Sequence, residues 1–174
     1  MLRDQSFLSV LIINIFIAVI WHFAVFMICI LMDTSFFNEE KKMYRPKKWE
    51  RGGRFYSDTL KINSWKDIMP QYIGKNGFSK DHLSALSPEY LDEFIMETCR
   101  GEWNHTANCA LCIVLMIINR PLSGAIFSLL VFAANMPFTL IQRYNRFRLQ
   151  KLRQTLIRKS NRGRKGTVLQ TGKE

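Results

Sequence analysis

Two long apolar runs, separated by charged sequence, dominate the hydrophobic pattern of the chain. Residues 7–32 and 121–142 contain no charged side chain, and their lengths of 26 and 22 residues reach the roughly 20 that a helix needs to cross a bilayer. A secretory signal would have a shorter apolar region and a small-residue cleavage site, which the sequence after Leu31 lacks. The first run is therefore predicted to be a retained transmembrane helix at residues 7–32.

A third apolar stretch, residues 103–119, is weaker, because only residues 107–118 are strongly apolar. Turn-forming residues at 119–124 separate it from the next run. Two apolar segments this close predict a helical hairpin with spans at 103–119 and 122–142, and the alternative is a buried hairpin in a soluble protein. The predicted fold is an all-α integral membrane protein, with one membrane domain over residues 1–174.

The basic residues predict an orientation. One Lys or Arg precedes the first span, twelve lie in residues 33–102, one lies in the hairpin turn and eleven follow residue 142. With three spans both basic segments fall on the same side, which the positive-inside rule makes cytoplasmic. We therefore expect a multi-pass inner-membrane protein with its N-terminus outside, a cytoplasmic interfacial segment at 33–102 and a basic cytoplasmic tail at 143–174.

Charge and cysteine content limit the possible partners. Anionic lipid headgroups account for the net charge of +11. Nucleic-acid binding is not expected, because no aromatic residue for base stacking follows Phe147. Three cysteines lie in apolar runs and Cys99 falls on the reducing side, so no disulfide framework is predicted. His105, Cys109 and Cys112 share a helix face, but two of them would lie inside the bilayer without a fourth ligand, so no metal site is predicted.

The segments around the hairpin predict where helices begin and bend. Ser87 as N-cap with Pro88 in the first helical position predicts the start of a helix. This helix should run through His105 into the second span, with a bend at Gly101. Pro137 predicts a kink in the third span.

The candidate chemistry lies between Glu97 and His105, just before the second span. At about 100° per residue, Glu97 and Glu102 lie about 80° and 60° around the helix axis from His105. A neutral histidine oriented by a carboxylate can take the proton of a hydroxyl that attacks an acyl carbonyl. We predict His105 as the general base, with Glu102 or Glu97 as its orienting partner.

Ordinary roles remain open for the same residues. Glu97 could form an i,i+3 ion pair with Arg100, and His105 could be an interfacial histidine with one hydrogen bond. His22 lies within the first span, where a packing role is expected, and His82 lies in a polar loop without a carboxylate partner.

Guanidinium groups follow the third span at Arg143, Arg146 and Arg148. Such groups bind phosphates well, so we predict that they hold a coenzyme A donor or lipid headgroups. Acyl transfer from a thioester needs no cofactor beyond this donor.

From Trp21 to about Leu152 the chain resembles the glycosyl-4,4'-diaponeurosporenoate acyltransferase family. The resemblance rests on Glu97-Thr-x-Arg100-x-Glu102-x-x-His105, Ala134-Asn-x-Pro137 and Gln142-Arg-Tyr-Asn-Arg-x-Arg-Leu149, with weaker support from Trp49-Glu-x-x-Gly-x-Phe-Tyr56 and Trp65-Lys66. The chain departs from the family pattern at Gly101, Thr106 and Phe147, where alanine, tryptophan and proline are usual.

The resemblance implies an enzyme that esterifies a sugar hydroxyl of a glycosylated terpenoid, at the primary C6 position, with a long fatty acyl chain. The donor would be acyl-coenzyme A or acyl-carrier protein, and the partners would be the bilayer and a lipid-linked sugar acceptor. His105, Glu102 and Glu97 would form the catalytic set. The substrate-binding set would be Arg100, Arg143, Tyr144, Asn145, Arg146, Arg148, Trp65 and Glu50. A non-enzymatic membrane subunit or another lipid-modifying transferase are the alternatives.

Overall fold

The computed structural model describes residues 5–69 and 87–171, with only the backbone described from residue 163 onward. His82 lies outside this part. The described residues are all-helical, as predicted, with α1 (Phe7–Leu31), α2 (Ile62–Trp65), α3 (Pro88–Cys109), α4 (Leu111–Ile118) and α5 (Pro121–Thr171). Short 3₁₀ or π turns lie at Thr34–Phe37, Lys48–Gly53, Phe55–Thr59 and Lys66–Ile68.

Helices α1 and α5 are the two described helices that are long and apolar enough to cross a bilayer, by length and composition. Large apolar side chains such as Phe16 and Phe23 of α1, and Leu129 of α5, are exposed over more than half of their surface. Patches of this extent on a protein surface mark contact with lipid or with another protein. The two helices therefore fit a membrane protein.

Helix α3 begins as predicted, and its regular hydrogen bonding is interrupted at its C-terminal end. The Ser87 side chain accepts a hydrogen bond from the Tyr90 backbone N–H at 3.2 Å, and Pro88 takes the first helical position. The helix continues through Gly101, where a bend was predicted, and ends at Cys109. At the junction the Ala110 N–H donates to the Ala107 carbonyl at 3.1 Å, the i→i+3 spacing of a 3₁₀ turn. The regular helix is interrupted at Ala110, and the bend at Gly101 stays a prediction.

The predicted second span is thus built from the end of α3 and the whole of α4. Helix α4 has 8 residues and a length of about 12 Å, too short to cross the hydrocarbon core of about 30 Å by itself. The three-span arrangement therefore stays a prediction.

Helix α5 has 51 residues and a length of about 77 Å at 1.5 Å per residue. It continues through Pro137 and through residue 142, where the predicted span ends. The apolar first part and the basic tail are consequently one helix over the described residues, rather than a span followed by a separate segment.

Polar contacts join the apolar helices to one another. Asn14 of α1 and Asn119, just after α4, exchange two side-chain hydrogen bonds of 2.9 and 2.8 Å. Ser128 of α5 donates to the Cys112 carbonyl of α4 at 3.0 Å. In an apolar layer such bonds between helices satisfy groups that lipid cannot, so they fix which helix faces pack together.

The charged half of the molecule packs on the other end of α5. Arg153 of α5 forms ion pairs with Glu39 at 2.6 Å and with Asp92 of α3. The segment that precedes α2 closes over residues 140–147 of α5, where Tyr56, Ile62 and Tyr144 form a buried cluster. These contacts place the loop, the polar end of α3 and the middle of α5 around one site.

Candidate active site

A buried ion-pair cluster lies where the loop, α3 and α5 meet. It consists of two carboxylates and two guanidinium groups, from Glu50, Glu102, Arg143 and Arg146. Glu50 is fully buried, and Arg146 is 2% exposed. The formal charges of the four residues cancel, which is the condition under which buried charges are tolerated.

Arg143 uses all five of its N–H donors within this cluster. Its Nε donates to Glu50 Oε1 at 2.5 Å, and its Nη2 donates to Glu50 Oε2 at 3.1 Å. Its Nη1 donates to Glu102 Oε1 at 2.8 Å, and the backbone carbonyls of Met43 and Arg45 take the remaining two N–H groups at 3.0 and 2.9 Å. Since a guanidinium has five donors, none is left for a phosphate.

Arg146 completes the cluster from the next turn of α5. Its Nη2 donates to Glu102 Oε2, its Nη1 contacts the Cys99 sulfur at 3.3 Å, and its guanidinium lies 5.4 Å from the centroid of the Tyr44 ring. Burial raises the pKa of the Cys99 thiol to about 11, so the thiol is protonated at neutral pH and is a poor nucleophile.

Glu50 is held in its charged form despite its burial. Burial alone would raise its pKa, but hydrogen bonds from Arg143, Tyr56 and the Lys47 backbone N–H outweigh this effect and hold the pKa below its ordinary value. These donors occupy both oxygens, with the Tyr56 hydroxyl at 2.6 Å from Oε1. Glu50 therefore holds Arg143 in place, and its predicted contact with substrate stays a prediction.

A histidine–asparagine chain, formed by His22, Asn135 and His105, connects α1, α5 and α3. Asn135 Nδ2 contacts His22 Nε2 at 3.3 Å, and Asn135 Oδ1 contacts His105 Nδ1 at 3.2 Å. The His105 ring also stacks on Phe138 of α5, with centroids 4.9 Å apart and planes 15° apart. The ring orientation of His105 is therefore fixed by α5.

The neighbouring carbonyls decide which atoms of this chain carry protons. His22 Nδ1 lies 2.8 Å from the Ala18 carbonyl and must donate, so in the neutral ring Nε2 accepts. Asn135 Nδ2 donates to the Val131 carbonyl at 3.0 Å and to His22, so its Oδ1 accepts from His105 Nδ1. The neutral His105 ring then keeps its lone pair on Nε2, which receives no hydrogen bond from the described residues.

The predicted contact between His105 and a carboxylate is corrected by this geometry. Glu102 directs its oxygens to Arg143 and Arg146, and Glu97 pairs with Arg100 at i,i+3 on an exposed surface. Both glutamates lie near His105 around the helix axis, but α5 attracts one of them and Arg100 attracts the other. The orienting group of His105 is Asn135.

The other predicted substrate-binding residues have different positions. Tyr144 donates to the Asn63 side chain at 3.1 Å, which joins α5 to the loop. Trp65 Nε1 donates to the Leu60 carbonyl at 3.0 Å, a bond within the loop itself. Arg148 is exposed and lies over the Tyr144 ring, 5.8 Å from its centroid. Arg100 lies over the Phe37 ring at 5.1 Å, and Asn145 is half-buried. Arg148 is therefore the exposed member of the three predicted phosphate-binding arginines.

Sequence reasoning missed two members of the site. His22 was expected to have only a packing role, and Asn135 was noted as part of the step before Pro137 without a partner. The available signal was an amide in the middle of an apolar run, since polar groups at such positions are usually paired. Among the described residues, no three His, Cys, Asp or Glu side chains come together as a metal site.

Fold and site together define an all-helical protein with membrane-length apolar helices and a histidine at the border of its apolar and charged halves. A family model described as Glycosyl-4,4'-diaponeurosporenoate acyltransferase matches residues 40–155, and the chain belongs to this family of enzymes that transfer acyl groups. Proteins of that name from Staphylococcus aureus strains Newman and N315 are 26% and 25% identical over 130 residues, which is 74% of this chain and 78% of theirs. No solved structure matches the chain.

Proposed function

We propose that the protein esterifies a sugar hydroxyl of a glycosylated carotenoid, or of a related glycolipid, with a fatty acyl chain at the cytoplasmic surface of the inner membrane. The acceptor class comes from the relatives, whose name specifies a glycosylated diaponeurosporenoate. The observation that carries the catalytic part is the hydrogen bond from His105 Nδ1 to Asn135, which leaves Nε2 as the basic nitrogen.

The proposed reaction is a direct acyl transfer. His105 Nε2 accepts the proton of the sugar hydroxyl while the hydroxyl oxygen bonds to the thioester carbonyl carbon. The carbon–sulfur bond then breaks, and the thiol leaves with the proton that the imidazolium returns from Nε2. The products are the sugar ester and the free thiol of the donor, with His105 restored.

The donor would be acyl-coenzyme A or acyl-carrier protein, with its phosphates on exposed cations. Arg148 and Lys151 are exposed on α5, whereas Arg143 and Arg146 are committed to the ion-pair cluster. The ion-pair cluster would act on His105 only indirectly. Its member Glu102 lies on the same face of α3 as His105, within one turn.

The decisive experiment measures transfer of a labelled fatty acyl group from coenzyme A to a glycosylated terpenoid in membranes, with protein levels matched. His105→Gln should lower kcat by about 10²–10⁴-fold, the usual contribution of a general base. Asn135→Leu should also lower kcat, by a smaller factor, because it removes the group that orients the imidazole.

Asn119→Leu provides the matched control, since it removes an amide from the other polar contact between the apolar helices. It should leave kcat of the folded fraction unchanged. Near-native kcat in His105→Gln would refute the catalytic assignment. Absence of transfer to any glycolipid by the unmodified protein would favour the non-enzymatic membrane subunit.

A further inference from the structure

A cavity of about 290 Å³ lies between the segment at Met43–Tyr44 and one face of α3. The α3 face contributes Glu102, Trp103, Thr106 and Ala107. The volume is just below the range of about 300–1,000 Å³ that ligand sites occupy, so the cavity fits one small polar group and not a long lipid chain.

Tyr44, one of the residues that line this cavity, has a hydroxyl that is unpartnered in the described part of the chain. Tyr44 is 1% exposed, and its Oη makes no hydrogen bond within the described residues. Buried polar groups without a partner are rare because each loses its bonds to water, and a ligand in the cavity would restore one. Burial raises the pKa of Tyr44, so the hydroxyl is protonated and can donate.

The charges on the cavity wall favour a neutral ligand. Glu102 is the charged residue among the lining side chains, which include no Lys or Arg. Its two bonds to Arg143 and Arg146 occupy about half of the roughly four acceptor positions of a carboxylate. The lining side chains offer a phosphate no cation of their own, whereas a polyol could donate to Glu102 and accept from the Tyr44 hydroxyl. Thr106 adds a hydroxyl and Trp103 an aromatic ring to the α3 wall of the cavity.

We propose that this cavity binds the sugar headgroup of the lipid-linked acceptor. The assignment rests on the proposed function and adds to it the residues that hold the acceptor. His105 does not itself line the cavity, but Glu102, which does, lies one turn before it on α3. A hexose bound to Glu102 would therefore need its reacting hydroxyl to extend past the cavity edge toward His105. The terpenoid chain would extend from the cavity into the lipid.

The test uses the whole protein in lipid nanodiscs with n-hexyl β-glucoside as probe and hexanol as the sugar-free control, followed by ligand-observed saturation-transfer NMR. The Tyr44→Phe variant keeps the ring that packs under Arg146 and removes only the hydroxyl. It should weaken glucoside binding by about three- to tenfold, the value of one hydrogen bond. Its melting temperature should stay the same or rise, because a buried group without a partner is removed.

Filling the cavity provides a second variant with a matched control. Thr106→Phe should abolish glucoside binding. Ile113→Phe adds the same ring on α4 at a position that is 65% exposed and should bind like the unmodified protein. Unchanged glucoside affinity in both Tyr44→Phe and Thr106→Phe would overturn the assignment, as would equal signals from hexanol.

Because binding needs no acyl donor, the two proposals fail separately. A protein whose glucoside binding is weakened by Tyr44→Phe and abolished by Thr106→Phe, but which transfers no acyl group, would refute the proposed function and keep the sugar site. An active enzyme whose acceptor KM is unchanged in both variants would refute the sugar site and keep the function.

Discussion

At Arg143, a single guanidinium joins its own helix to two distant parts of the chain, residues 43–50 and Glu102. Its donors reach the backbone at Met43 and Arg45, the carboxylate of Glu50 and the carboxylate of Glu102. Lysine has three donors and no planar fork, so it could not reproduce this set. The residue type at this position is therefore set by the number of bonds as well as by charge.

Replacement of Arg143 should reduce stability more than it affects donor binding. Arg143→Gln leaves the buried Glu50 carboxylate without its cation and Glu102 with Arg146 alone, and loss of one partner from a buried ion pair typically costs about 3–5 kcal/mol. The free energy of unfolding in detergent should fall by about this amount. Arg148→Gln, at an exposed position, should change it by less than about 0.5 kcal/mol and raise the KM for acyl-coenzyme A. A raised donor KM with unchanged stability in Arg143→Gln would instead support phosphate binding by Arg143.

The sequence identified most members of the site but not their pairing. Helix geometry correctly places Glu97 and Glu102 near His105, because spacing along one helix determines angular position. It contains no information on α5, which supplies the partners of Glu102 and His105. The Asn135 contact spans 30 residues and depends on how two helices pack, so spacing within one helix could not reveal it.

At the scale of elements, the loop before α2 depends on glycine to lie against α5. Gly53 has φ +92°, and a Cβ built on it would lie 3.0 Å from Phe147 Cβ. Gly52, its neighbour, has φ +64° with open space around the equivalent position. Comparing alanine substitutions at the two positions therefore separates two free-energy costs: that of placing a side chain on a left-handed backbone and that of crowding Phe147 of α5.

Both alanine variants should be destabilised, by different amounts. Gly52→Ala should cost about 1–2 kcal/mol for the left-handed conformation alone. Gly53→Ala should cost about 1–3 kcal/mol more, because the added methyl group must displace Phe147 or the loop. Denaturant titrations of the two variants in the same detergent measure the difference. Equal losses would mean that Phe147 moves away freely and that the loop is not tightly packed there.

The helix boundaries show what local sequence can predict. The start of α3 followed from Ser87 and Pro88, whose effects are confined to one turn. The 3₁₀ turn at Ala110 has no neighbouring glycine or proline that would predict it. Helix α5 continues through Pro137, and the kink expected there stays a prediction.

At the scale of the whole molecule, ion pairs between distant segments support the three-span arrangement. Arg153, beyond the apolar part of α5, pairs with Glu39, which follows α1, and with Asp92 of α3. In a membrane, Glu39, Asp92 and Arg153 would then lie on the same side. If the apolar part of α5 crosses it, the chain has to return through α4 and the end of α3. Residues 103–118 would be about 24 Å long as a helix, so local thinning of the bilayer is expected.

Accessibility to a membrane-impermeant maleimide tests this arrangement in intact cells. Cysteines at Ser6→Cys and Leu122→Cys should react from outside. Asn38→Cys and Lys151→Cys should react only after the cells are opened. The unmodified chain provides the background, since Cys29 and Cys99 are buried and Cys109 and Cys112 are half-buried. Labelling of position 38 and position 151 from opposite sides would exclude the three-span topology.

The position of Glu50 in the chain has a consequence for synthesis of the protein on the ribosome. Its main partner, Arg143, is made 93 residues later, which takes about 5–20 s at usual rates of translation. During that interval the loop has a carboxylate ready for burial but no cation to bury it with. Closure of the loop therefore waits for α5 to emerge, and a product released before residue 143 would leave the loop open to proteases.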